Sequence, residues 1–198
     1  MKKIGIINAG SGNISSVAQA FQLEGTISDI LDKSPKIDDF DLIILPGVGS
    51  AGSVEKSINK YFRKWIIDRY EINRPILGIC LGFQIMFNGT HESGGVEGLS
   101  LFDGTCEKLS NYEKINMRVG WHQTSGFKLI ESHQNFYYFN HAYGVNYNNQ
   151  KKMKHLEMGK VDNSISWIRK KNTFGCQFHP EKSQISGKYL IKCLIDKL

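Results

Sequence analysis

The sequence predicts an α/β fold with a central, mostly parallel sheet and an antiparallel extension. Two patterns carry that prediction. Through the first half, short apolar runs without polar alternation are separated by segments whose apolar residues recur at helical spacing, the arrangement of a parallel sheet wrapped by helices. In the second half the runs are shorter and divided by Asn- and Gly-containing turns, as in strands that pair antiparallel. With 198 residues, 40% of them hydrophobic and 22% charged, and no low-complexity tract to act as a linker, a single domain over residues 1–198 is expected.

Lys3 to Asn8 reads as the first strand, followed by the turn Ala9-Gly10-Ser11-Gly12-Asn13 and a helix from Ile14 to Leu23. Asp41 to Leu45 reads as a buried strand ending in Pro46-Gly47-Val48-Gly49, and Ala51 to Arg69 as the helix after it. Arg74 to Ile79 is the next buried strand, and Leu81 to Phe87 the helix leaving it, with Cys80 at the corner. Leu101 to Lys108, Phe136 to Asn140, Ser164 to Arg169 and Thr173 to Phe178 read as strands of the antiparallel part, and Ile185 to Leu198 as a closing amphipathic helix.

Composition narrows the function classes. The apolar stretch near the amino terminus is broken by Asn8 and Gly10, too early for a signal peptide or a membrane span, so a cytoplasmic protein without a membrane partner is expected. Cys80, Cys106, Cys176 and Cys193 form no C-x-x-C pair, and His91, His122, His133 and His155 show no metal spacing, so neither metal nor cofactor is called for. A lone cysteine is then free to act as a nucleophile. The formal charge of +6 and the basic runs Lys151-Lys152-Met153-Lys154 and Arg169-Lys170-Lys171 lack interleaved aromatics and read as solvated faces, so no nucleic acid is expected. Phe62, Trp65 and Trp167 read as core or interface aromatics.

Three segments carry chemistry. In Gly78-Ile79-Cys80-Leu81-Gly82 an apolar strand runs into a helix through a nucleophile; a sharp turn there pushes the side chain out of the sheet, and the flanking glycines remove Cβ atoms that would clash. The start of the helix favours thiolate, the attacking form. Taken alone, the same segment is also read as a small buried cysteine. In Gln177-Phe178-His179-Pro180-Glu181, His179 has the chemistry of the base a thiol needs, and in an extended segment Glu181 would lie on the same side and orient the imidazole. In isolation His-Pro-Glu also fits a structural histidine before a turn. Gly47, Val48 and Gly49, at a strand's carboxyl end, can turn amides toward an oxyanion, with the amide of Leu81 as a second donor; a plain tight turn is the alternative.

These motifs resemble the class I, triad-type glutamine amidotransferases, and within them the glutaminase subunits of imidazole glycerol phosphate synthase. The resemblance spans essentially the whole chain. It rests on Gly10-Ser11-Gly12-Asn13, Leu45-Pro46-Gly47-Val48-Gly49, Gly78-Ile79-Cys80-Leu81-Gly82-Phe83-Gln84, Gly120-Trp121, Tyr138-Phe139-Asn140-His141 and Gln177-Phe178-His179-Pro180-Glu181-Lys182-Ser183. It implies a three-layer fold and a triad of Cys80, His179 and Glu181 working through a glutamyl thioester. L-Glutamine would be held by Gln84, one helical turn after Cys80, and by Glu92. It also implies a heterodimer in which ammonia passes to a (β/α)8-barrel synthase or cyclase subunit in histidine biosynthesis, with Ser11, Asn13, Trp121 and Lys182 at the partner surface.

The chain departs from the pattern at Asn8-Ala9, where Asp-Tyr is usual, and at Met117-Arg118-Val119-Gly120-Trp121-His122, where the family reads His-hydrophobic-Gly-Trp-Asn on the face toward the barrel. Asn140-His141-Ala142 likewise stands for Val-His-Ser or Val-His-Thr. Two further readings therefore stay open. One is a paralogue supplying ammonia to a sugar-amidinating enzyme of bacterial surface polysaccharide biosynthesis; the other is an inactive glutaminase-like binding module.

Overall fold

The computed structural model describes residues 1–10, 13–47, 49–126, 135–149, 153 and 156–198. Its largest sheet contains β1 (Lys3–Ile7), β2 (Ile27–Leu31), β3 (Leu42–Leu45) and β4 (Ile76–Ile79) from the first half of the chain. Two short-stranded units follow: a sheet of β5 (Gly89–Thr90), β6 (Val96–Glu97), β7 (Thr105–Lys108) and β10 (Tyr143–Val145), and a ribbon of β8 (Arg118–Gln123) and β9 (Phe136–His141). The chain then returns to the main sheet as β11 (Glu157–Val161), β12 (Ser164–Lys170) and β13 (Thr173–Cys176), in the spatial order β11-β12-β13-β4-β3-β1-β2.

β2, β1, β3, β4 and β13 run parallel, while β12 and β11 add antiparallel strands at one edge. The apolar runs at the centre are buried, as a strand covered on both faces must be: every residue of β3 and β4 is buried. Because side chains alternate along a strand, Ile43 and Leu45 pack on one side with α2 (Ala51–Tyr61) and α3 (Arg63–Glu71). Leu42 and Ile44 pack on the other with α1 (Ile14–Gln22) and α5 (Gln184–Ile195). Helices on both faces make the three-layer architecture expected from the sequence.

The structure amends several elements. The helix expected over Ala51 to Arg69 is two helices, broken where Phe62 leaves helical geometry (φ −132°) to bury its ring. Leu101 to Lys108 is a strand only over Thr105–Lys108, since Leu101 and Phe102 serve the core from a turn. β2 was missed because it is an edge strand with Ile27 and Ile30 half exposed, so it lacks a continuous apolar run. Thr173 to Phe178 is not in an antiparallel insertion: it forms a strand over Thr173–Cys176 that pairs parallel with β4 inside the main sheet. The helix after Cys80, α4 (Leu81–Ile85), is shorter than expected. Phe62 and Trp167 are buried, as read. Lys151, Lys152, Lys154, His133 and His155 lie outside the described residues.

Arg118 is also a correction. Expected to alter the partner-facing side, it points inward and is almost fully buried. Its guanidinium donates to Glu113 Oε2 (2.5 Å) and Asp162 Oδ2 (2.8 Å), and Glu113 Oε1 accepts from the Ser164 hydroxyl (2.6 Å). This network ties the ribbon to β12. With the Glu113 side chain only 4% exposed, removing its partner strands a buried carboxylate. Arg118→Met is therefore expected to cost about 3 kcal/mol in urea unfolding. Adding Glu113→Gln should recover part of that; a single variant within about 1 kcal/mol of the parent would contradict the assigned role.

Candidate active site

The site begins with a strand pairing. β4 and β13 run side by side with Ile79 opposite Cys176, and the ladder continues one step beyond β4, where the Cys80 amide donates to the Cys176 carbonyl (2.8 Å). Both chains therefore leave the sheet at the same place. Cys80 turns into α4 with φ 49° and ψ −103°, a strained conformation for a residue with a Cβ. The flanking glycines permit the approach: a Cβ on Gly82 would lie 2.0 Å from the Leu45 carbonyl oxygen, and one on Gly78 would lie 2.3 Å from Met86 Sδ.

From β13 the chain passes Gln177 and Phe178 to His179. Its backbone is pinned to the ribbon, where the His179 amide donates to the Tyr138 carbonyl (2.9 Å) and the Ser183 hydroxyl donates to the His179 carbonyl (2.6 Å). Glu181 reaches the imidazole as expected, but by a different geometry. Pro180–Lys182 is a 3-10 turn rather than an extended segment, and it brings Glu181 Oε1 to 2.8 Å from His179 Nδ1. Nδ1 thus carries a hydrogen toward the carboxylate, and Nε2 is directed to the other side, toward Cys80.

Burial by itself would push the His179 pKa down. Interaction with the Cys80 sulfur and with the Glu181 carboxylate overcomes it and raises the pKa to about 10.

Asn13, expected at the partner surface, is half-buried, and its side chain donates to Glu181 Oε1 (2.5 Å), the same oxygen that meets His179. It does so at the start of α1 without capping its own helix, a position where asparagine ordinarily uses its side-chain oxygen.

Cys80, His179, Leu81, Gln84, Glu92, Gly47 and Gly49 line one cavity of about 320 Å³, with Met117, Asn140, His141, Ala142 and Tyr143 completing it. Its volume is at the small end of ligand pockets, about 300–1,000 Å³. Burial raises the Glu92 pKa, partly offset by the Ala51 amide it accepts from. Val48 and Ser11 lie outside the described residues. Trp121 is 44% exposed and packs edge-on against Tyr138, and Lys182 is exposed.

Two residues of the site went unassigned in the sequence reading. His141 is buried, which drives its pKa down to about 3, so the ring is neutral and Nδ1 donates to the Tyr143 carbonyl (2.8 Å). Gln177, wholly inaccessible, lies between Gln84 and Cys80. The available signal was a polar residue directly after a buried strand.

Comparison with known proteins agrees with this geometry. A family model described as "Glutamine amidotransferase class-I" matches residues 6–196. The imidazole glycerol phosphate synthase subunit HisH of Caldanaerobacter subterraneus subsp. tengcongensis is 36% identical, over 96% of this chain and 95% of its own. The same subunit of Methanocaldococcus jannaschii is 35% identical, over 98% and 100%. Among solved structures, a glutamine amidotransferase superposes with a TM-score of 0.77 at 14% identity, covering 98% of this chain and 97% of its own, a likeness of fold. With thiol, imidazole and carboxylate at the carboxyl ends of adjacent parallel strands, and a family match across nearly its whole length, the chain belongs to the class I glutamine amidotransferases.

Proposed function

We propose that this chain is the glutaminase subunit of imidazole glycerol phosphate synthase in histidine biosynthesis, a single cytoplasmic domain that hydrolyses L-glutamine and delivers the ammonia to a synthase partner. The observation that carries the chemistry is His179, held by Glu181 on one side and meeting Cys80 on the other, at the wall of a cavity that also holds Gln84 and Glu92. The names of the relatives support the pathway.

His179 holds the proton as imidazolium beside the Cys80 sulfur, which attacks the carboxamide carbon of glutamine as thiolate. The resulting oxyanion meets the Leu81 amide, whose place in the first turn of α4 leaves it no intrahelical acceptor, together with the amides of Gly47 and Gly49 at the cavity wall. His179 returns the proton to the departing nitrogen, releasing ammonia and leaving a glutamyl thioester. Water, activated by the same imidazole, then cleaves the thioester to glutamate and restores the thiol. Gln84 and Glu92 hold the amino-acid end of the substrate.

The outer face of the ribbon presents Val119, Trp121 and Phe136 at 55%, 44% and 44% exposure, next to Met117 and Asn140 at the cavity mouth. This apolar face suits a (β/α)8-barrel subunit, whose docking would cover the cavity and conduct ammonia away from water, where it is mostly protonated near neutral pH and no nucleophile. Docking can influence catalysis directly, because the backbone of Tyr138 in that ribbon holds the backbone of His179.

Cys80→Ala, assayed with the partner subunit, is expected to abolish glutamine-dependent product while synthesis from added ammonium salt persists; equal loss of both would contradict the division of labour. Asn13→Asp keeps the size and helix-capping competence of the side chain but sets a carboxylate against Glu181. Its expected effect is a fall in glutaminase kcat of about tenfold or more with the melting temperature unchanged within about 2 °C. Full activity in that variant would remove Asn13 from the site.

A further inference from the structure

We infer that Gln177 is a donor to the nucleophile, ending a hydrogen-bond relay that runs from the Tyr143 carbonyl through Gln84 to the sulfur of Cys80 and favours the thiolate. Its part in turnover rests on the glutaminase reading; its hold on the sulfur does not.

The direction of the relay is forced by its first member. The Tyr143 carbonyl accepts from His141 Nδ1 (2.8 Å) and from Gln84 Nε2 (2.7 Å), and a carbonyl can only accept. Gln84 must therefore present its NH2 group to it. The same nitrogen has a second hydrogen, which it donates to Gln177 Oε1 (3.2 Å). With its oxygen committed, Gln177 faces the sulfur with its nitrogen, and Nε2 donates to Cys80 Sγ over 3.7 Å. Flipping the Gln177 amide would set two NH2 groups against each other and an oxygen against the sulfur, so the opposite polarity fails at both ends.

The chemistry follows from what sulfur accepts. A thiol is a weak acceptor and a thiolate a strong one, so a fixed N–H donor lowers the energy of the charged form more than that of the neutral one. The Asn140 carbonyl, 3.9 Å from the sulfur, accepts from the thiol and pulls the other way, but from farther off. Gln177 is wholly inaccessible, so bulk water does not screen this donor or stand in for it. At the relay's outer end, Gln84 Oε1 is buried and accepts no hydrogen bond, although Gln84 lines the cavity.

The experiment is alkylation of Cys80 by iodoacetamide across a pH series, followed on the Cys80 peptide by mass spectrometry, for the intact wild-type chain and for Gln177→Met. Methionine approximates the length and volume of glutamine but donates nothing. The expected result is a midpoint for Cys80 alkylation about one pH unit or more higher, which is a tenfold loss of thiolate at a given pH below it. Glutaminase kcat should fall by about tenfold, with KM within about threefold because Gln84 keeps its bond to Tyr143. An unchanged midpoint in a variant that still unfolds cooperatively overturns the inference. If Gln177→Met does not fold, Gln177→Asn decides on the same readout. It adds no charge but withdraws the amide from the sulfur by one methylene, so a raised midpoint supports the relay and an unchanged one overturns it. A raised midpoint in a chain that fails to hydrolyse glutamine even with its partner would uphold the relay and sink the glutaminase reading alone.

Discussion

The parallel pairing of β4 with β13 is the constraint on which the site depends. It joins strands almost a hundred residues apart, and the bond from the Cys80 amide to the Cys176 carbonyl carries the ladder to the last residue before the chains diverge. One chain turns up into α4 with the thiol at its corner, and the other continues through Gln177 to His179. A shift of one residue in this register would send the alternating side chains to opposite faces and separate the thiol from the imidazole. Burial on both faces of β3, β4 and β13 holds the register, since each strand has no polar face that could tolerate the slip.

Upon that frame the site sorts its polar groups by what each is left to do. The two histidines show the contrast. His141 has a carbonyl for a partner and is driven neutral by burial, whereas His179 lies between a sulfur and a carboxylate and holds a proton against the same desolvation. Around the thiol, neutral amides and carbonyls replace water: Gln177 donates to it, Asn140 accepts from it, and Gln84 reaches the substrate cavity. Groups fixed in this way need not reorganise when charge moves during acyl transfer.

Much of this was legible in the residues. Buried strands read as apolar runs because both faces are covered, and the Cys80 elbow was visible because its glycines answer to a steric need: Gly82 approaches the Leu45 backbone too closely for any side chain, and Gly78 is crowded by Met86 and by backbone at 3.0 Å. Cys80, His179 and Glu181 could be singled out by their chemistry, although the turn that brings Glu181 to His179 could not, since side-chain alternation in a strand and a 3-10 turn both place the two residues within reach. What stayed hidden depends on contacts between distant segments. Asn13 turns toward a carboxylate 168 positions away, Arg118 is drawn inward by Glu113 and Asp162, and Gln177 acquires its meaning only beside Gln84 and Cys80. β2 escaped for the opposite reason, because an edge strand is half exposed and carries no pattern strong enough to mark it.

In the proposed reaction the sulfur of Cys80, activated by His179, becomes acylated by glutamine. Mixing the chain and its partner subunit with glutamine, quenching in acid within a turnover, and mapping the modified peptide by mass spectrometry tests it most directly. The expected result is a glutamyl group on Cys80 that hydroxylamine removes and that is absent from a His179→Ala variant. Turnover of glutamine with no adduct on Cys80, or an adduct that forms equally well without His179, would contradict it.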